Sequence, residues 1–231
     1  MISIIPVTGL PEVRPGDVIA DLIVAATDDI RGGDVVVVTQ KVVSKAEDRL
    51  IEVDPDDPVS HKAAVEAESV RVLRRRGDLI MTETRHGFVC ANAGVDLSNV
   101  ARGQAALLPV DPDRSARRIR DGLRARIGVV VGVVVSDTFG RPWRRGVTDV
   151  AIGIAGVAGV VDLRGTEDAL GRTLMVTEVC VADEIAAAAE LVMGKSAGVP
   201  VAIVRGVDGT WLRDASVASE IVRPHHEDLF R

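Results

Sequence analysis

A chain of 231 residues with 47% hydrophobic content can bury a sizeable core, as one large domain or as two small lobes, without covalent staples. The 34 acidic and 28 basic residues leave a net charge of −6, and three Phe, two Trp and no Tyr supply few rings for stacking, which excludes a general nucleic-acid binder. Cys90 and Cys180, the two cysteines, make neither a disulfide framework nor a zinc spacing, so a reducing, cytoplasmic setting is expected.

No secretory signal pattern opens the chain, and the apolar runs at 129–135 and 151–161 fall short of the roughly 20 residues that cross a bilayer. Both are expected as core, and no membrane partner is expected.

In chain order, residues 34–39 (DVVVVT) form a short β-branched run, as in a strand buried on both faces. Two prolines and three aspartates at 54–58 predict a surface loop. Residues 62–76 predict a helix with Ala63, Ala67, Val70 and Leu73 on one stripe and Arg74, Arg75 and Arg76 opposing the dipole at its end. A further helix is predicted from a cap at Asp113 through Ile119, Leu123 and Ile127 to a left-handed stop at Gly128. Residues 129–135 and 199–204 predict two more buried strands, giving three central ones. Between them Asp183 caps an alanine-rich helix at 184–193 that Gly194 ends. Gly153, Gly156 and Gly159, spaced for close packing, do not match a GxGxxG fingerprint. No repeat appears, and the irregular mixture favours α+β or mixed α/β.

Three segments carry chemistry. Residues 133–145 read as a buried strand that delivers Asp137 and Thr138 into a turn rich in arginine. A carboxylate beside a hydroxyl suits Mg²⁺ or Mn²⁺, and Arg141, Arg144 and Arg145 suit phosphate. A plain turn and helix cap is the alternative. In residues 84–99, Asp96 can bind metal, Asn99 can read a base or ribose, and Gly94 lets backbone approach a ligand, against the alternative of an Asx turn. His86 there is read as structural. Residues 39–45 (TQKVVSK) present Lys41 and Lys45, either of which could neutralise a polyphosphate, against the alternative of a solvated first helical turn. The Gly-Lys-Ser at 194–196 lacks the first glycine of a Walker motif and follows a helix, so it is set aside.

In order along the chain, PVTGLPE at 6–12, GDVVVVTQKVVSKAE at 33–47, RHGFVCANAGVDLSNV at 85–100, LLPVDPD at 107–113, SDTFGRPWR at 136–144 and VADEIAA at 181–187 resemble the successive signatures of the coenzyme F420:L-glutamate ligases. The resemblance covers essentially the whole chain as one ligase domain, residues 1–231. It implies an α+β fold of mixed sheets with packed helices, two closely associated lobes and an intertwined homodimer.

It also implies a GTP- and divalent-metal-dependent ligase. Such an enzyme joins L-glutamate in γ-glutamyl amide linkage to the precursor F420-0, with or without extension of the tail, through an acyl phosphate, releasing GDP and phosphate. Metal positions fall on Asp96, Asp137 and Thr138, with Mg²⁺ or Mn²⁺ at one or two sites and room for K⁺. Guanine-nucleotide contacts fall on Leu10, Pro11, Glu12, Val13, Gln40, Lys45 and Asn99, and the catalytic positions are Asp96, Asp137 and Lys45. In archaeal members a glutamine near residues 193–200 helps hold the second metal, and Lys195 stands at about that place here. Residues 221–231 resemble the junction that precedes a flavin-binding nitroreductase-like domain in actinobacterial members. A non-catalytic nucleotide-binding subunit, or a related ligase with another acidic acceptor, are the alternative functions.

Overall fold

The computed structural model describes residues 1–229; Phe230 and Arg231, the end of the junction-like segment, lie outside the described residues. In chain order the elements are β1 (Ser3–Val7), α1 (Ile19–Ala26), β2 (Val35–Thr39), α2 (Gln40–Ala46), β3 (Leu50–Glu52), α3 (Lys62–Glu68), β4 (Ser69–Arg76), β5 (Leu79–Thr84) and β6 (Val89–Ala91). They continue with β7 (Gln104–Ala106), α4 (Pro112–Ile127), β8 (Gly132–Gly140), β9 (Val147–Ala155), β10 (Val161–Asp162), β11 (Glu178–Val179), α5 (Val181–Met193), β12 (Val201–Arg205) and α6 (Val217–Glu220).

The main sheet has five strands in the order β1-β12-β2-β8-β9. Its β2–β8 pair is parallel and the others are antiparallel, so the sheet is mixed. The three strands expected at the centre are there: β12, β2 and β8, whose valines are almost fully buried. Helices α4 and α5 pack on this sheet through Ile119, Leu123, Ala182, Ala186 and Ala189, whose small or branched side chains admit close approach. Gly153 shows how close: a Cβ there would lie 2.3 Å from the Pro112 carbonyl carbon and oxygen.

Three smaller sheets complete the fold, a three-stranded one of β4-β5-β6 and the pairs β3-β7 and β10-β11. A second hydrophobic cluster of Val65, Ile80, Ala93, Val95, Ala105 and Leu107 joins α3 to β5, β7 and the loop before β7. The chain is therefore α+β. Among the described residues no helix is long and apolar enough to cross a membrane.

Four expectations need correction. The helix expected over 62–76 stops at Glu68, and residues 69–76 are β4, paired antiparallel with β5 across a turn at Gly77, whose φ is 57°. The β-branched Val70 and Val72 favour that pairing over helical continuation. The cap of α4 is Asp111, which accepts from the Arg114 amide at 2.8 Å. Asp113 is instead buried inside the first turn and accepts from the Ile154 and Val217 amides at 2.9 Å, bonding the helix to distant chain. Likewise α5 begins at Val181, and Asp183 accepts from the Ala151 amide at 2.9 Å rather than capping. The strand expected at 129–135 begins at Gly132 and runs on to Gly140, so Asp137 and Thr138 stand within β8 and not in a turn. The predicted stop at Gly128 is present, with φ 72°, and the loop at 54–58 is exposed or nearly so throughout.

Candidate active site

A cavity of about 770 Å³ opens where β2 passes directly into α2, beside the C-terminal half of β8 and the end of α5. Because β2 and β8 run parallel in register, Thr39, the last residue of β2, pairs with Ser136 in the middle of β8, so the end of β2 lies beside Asp137 and Thr138. That is where open parallel strands present ligand-binding groups.

Of the positions singled out above, Leu10, Pro11, Glu12, Val13, Gln40, Lys45, Asn99, Asp137 and Thr138 all line this cavity. Asp96 stands one contact behind the wall, its Oδ2 receiving the Lys41 ammonium at 2.5 Å, and Lys41 lines the cavity itself. Asp96 also accepts from the Ser98 amide at 2.7 Å, an Asx turn that serves the site. Lys45 pairs with Glu12 at 2.5 Å, and Lys41 and Lys45 are each only 13% exposed, so neither is a merely solvated helical residue. Asn99, left-handed at φ 54°, donates from Nδ2 to the Lys195 carbonyl at 3.2 Å. Gln40 is buried; its Nε2 donates to Ser44 Oγ and the Leu107 carbonyl, while its Oε1 has no partner. One buried amide oxygen beside the cavity is thus left unsatisfied.

Electrostatics concentrate at β8. Burial pushes the Asp137 carboxyl up to about 7, with Asp96 adding to the rise and the Thr138 amide, Lys41 and Lys195 opposing it. Burial also works to raise Asp96, but its bond with Lys41 and its bonds with Ser98 hold that carboxyl below its ordinary value. On α5, burial and the neighbouring Asp149 push Glu190 up while Lys195 opposes. Carboxylates are thus gathered closely enough to repel one another, an arrangement that a cation relieves.

The donor chemistry fits a hard cation. The candidates at Asp96, Asp137 and Thr138 offer oxygen only, as Mg²⁺ and Mn²⁺ prefer. Among the described residues no three His, Cys, Asp or Glu side chains form a ready-made metal cage.

Other candidates fall elsewhere. Arg141, Arg144 and Arg145 lie on the exposed β8–β9 connection, outside the cavity lining. Gly94 does not admit a ligand: at φ 72° it packs against Leu108, whose side chain would meet a Cβ at 2.7 Å. His86 is structural, its Nε2 2.9 Å from the Pro109 carbonyl and its ring stacked on Phe88 at 5.3 Å. Cys90 and Cys180 are free thiols, each pushed up to about 12 chiefly by burial.

Sequence reasoning missed Asp149 and Glu190 and did not single out Ser136, while Lys195, which the resemblance set near a second metal, lines the cavity together with Gly194 and Ser196. Asp149 carried a usable signal, a charge interrupting the apolar run that became β9. The Gly-Lys-Ser, rightly denied as a Walker motif, reaches the cavity because α5 ends there.

Fold and site together define an α+β enzyme in which the buried strand β8 and the helix α2 bring carboxylates and lysines to one cavity. Residues 9–206 match the family model described as F420-0:Gamma-glutamyl ligase, and the chain belongs to that family of ligases. It is similar to the coenzyme F420:L-glutamate ligase of Methanothermobacter thermautotrophicus, 44% identical over 250 residues that cover 100% of this chain and 99% of the relative. Similar proteins of the same name occur in Methanopyrus kandleri, 44% identical over 95% of this chain and 94% of the relative, and in Methanococcus maripaludis strain C7, 41% identical over 87% and 86%.

Proposed function

We propose that this chain joins L-glutamate to F420-0 through an amide bond between the precursor's carboxyl group and the glutamate amine, using GTP and a divalent cation. The observation that carries the reading is the convergence of Asp137, Thr138, Lys45, Gln40, Asn99 and residues 10–13 on one cavity, in a chain that aligns over its whole length with a ligase of that name.

A carboxylate does not form an amide with an amine directly, because hydroxide is a poor leaving group. The γ-phosphoryl group of GTP passes to the precursor's carboxylate oxygen, giving an acyl phosphate and GDP. The glutamate amine then attacks the acyl carbon; the C–N bond forms, the C–O bond to phosphate breaks, and the amine proton is lost. The cation supplies charge neutralisation at the phosphate oxygens when bound.

Asp137 and Thr138 would hold it at the cavity wall with Asp96 behind them, and Lys45 would bring a fixed positive charge to the phosphates. Gln40 Oε1 and Asn99 supply acceptor and donor groups for the base or ribose. Catalysis then rests on positioning and charge stabilisation, with no covalent enzyme intermediate. The exposed Leu170, Met175 and Val176, between β10 and β11, support assembly with a second copy, which sedimentation tests.

The decisive experiment is incubation of the chain with F420-0, GTP, Mn²⁺ and glutamate, followed by mass spectrometry of the cofactor. Addition of glutamyl units with stoichiometric GDP release is expected. GTP binding without glutamylation identifies the nucleotide-binding subunit instead, and glutamylation of a different acidic acceptor identifies the related ligase.

A further inference from the structure

We propose that Asp149 is a positioning residue that accepts hydrogen bonds from the hydroxyls of Ser136 and Thr138 and so leaves both oxygens as acceptors for a hard divalent cation in the cavity. The inference rests on the metal-dependent reading above.

Asp149 lies on β9 directly opposite Thr138 on β8. Ser136 and Thr138 are two residues apart and share one strand face, which is why one carboxylate reaches both. The register shift between Val135 and Ser136 lies just ahead of them, where a bulge re-aims side chains. Asp149 Oδ2 receives Ser136 Oγ at 2.9 Å and Oδ1 receives Thr138 Oγ1 at 2.6 Å.

The direction of both bonds follows from chemistry. Asp149 is 2% exposed, and an ionised carboxylate accepts only. Each hydroxyl has a single proton, and both protons are committed to Asp149. What Ser136 and Thr138, both of which line the cavity, still offer is lone pairs. Those lone pairs serve a cation and cannot donate to a phosphate oxygen. A charged group buried to this degree with both oxygens bonded to hydroxyls of one site is costly as a mere brace between adjacent strands that their backbones already join.

The test uses the full chain. Asp149→Asn keeps the shape, but its amide must donate to one hydroxyl, whose own proton then turns toward the cavity. Mn²⁺ affinity is measured without nucleotide by electron paramagnetic resonance of the free ion, alongside thermal melting and GTP binding in the absence of metal. We expect Mn²⁺ affinity to fall by roughly 10–100-fold, the range for residues that orient metal ligands, with metal-free GTP affinity within about twofold of the parent. In a Thr138→Val, Ser136→Ala background the same exchange should have no further effect on Mn²⁺.

If folded Asp149→Asn binds Mn²⁺ as the parent does while Thr138→Val does not, the positioning role is overturned and the metal-dependent reading stands. If the parent chain binds no Mn²⁺, with or without GTP, that reading falls and this inference with it. Should Asp149→Asn fail to fold, Asp149→Ala is measured the same way; failure of both to fold assigns Asp149 to the fold and overturns the proposal.

Discussion

Two antiparallel hairpins, β8–β9 and β4–β5, use similar strand lengths to opposite ends. In β8 the residues from Gly132 to Ser136 are all buried, and the polar groups that follow, Asp137 and Thr138, open on the cavity. In β4 no residue is fully buried, and Arg71, Arg74, Arg75 and Arg76 face solvent beside the exposed Val70 and Val72. A charge costs little on the second strand and much on the first. Charged residues are therefore informative about function in proportion to the apolar surroundings that must tolerate them.

The contrast yields graded predictions. Leu123, fully buried on α4 against the main sheet, should cost roughly 2–5 kcal/mol when replaced by Ala, read by urea unfolding; a cost below about 1 kcal/mol would show that the main sheet is not where stability resides. Asp137→Asn should lower glutamate addition by roughly 100-fold or more, as the loss of a principal charge-stabilising group does, while the urea midpoint holds or rises because a buried carboxyl is removed. Wild-type turnover by that variant would refute its place in the site. Lys45→Met, which keeps the apolar stem, should raise the apparent GTP constant about tenfold, or ~1.4 kcal/mol. Its stability change should stay under about 1 kcal/mol, since its partner Glu12 is 75% exposed. The smallest effect belongs to β4: Val70→Thr should shift stability by no more than about 0.5 kcal/mol, and a larger loss in dilute solution would reveal packing that the isolated chain does not display.

Much of the site was legible because local chemistry announced it. Lys41 and Lys45 follow a buried strand as the pattern indicated, whereas Asp137 and Thr138, expected in a turn after their apolar run, stand inside β8. The β4 strand was not legible, since Ala63, Ala67, Val70 and Leu73 repeat at helical spacing while the buried residue is Val65. Asp113 and Asp183 looked like caps because a cap needs only local sequence, yet their acceptors bind amides at Ile154, Val217 and Ala151. Nothing near either aspartate encodes those partners.

The sequence by itself determined the three central strands, the long helices α4 and α5 with their glycine ends, and the family to which the chain belongs. These depend on side-chain periodicity and on contiguous motifs, both of which are local. Tertiary structure alone decided that Asp149 would face Ser136 and Thr138, that Lys41 would bridge to Asp96, and that Glu190 would close the same cavity. Each of those contacts joins separate elements whose approach is fixed by sheet register and by the burial of valine faces, a property of the assembled core that no short segment contains.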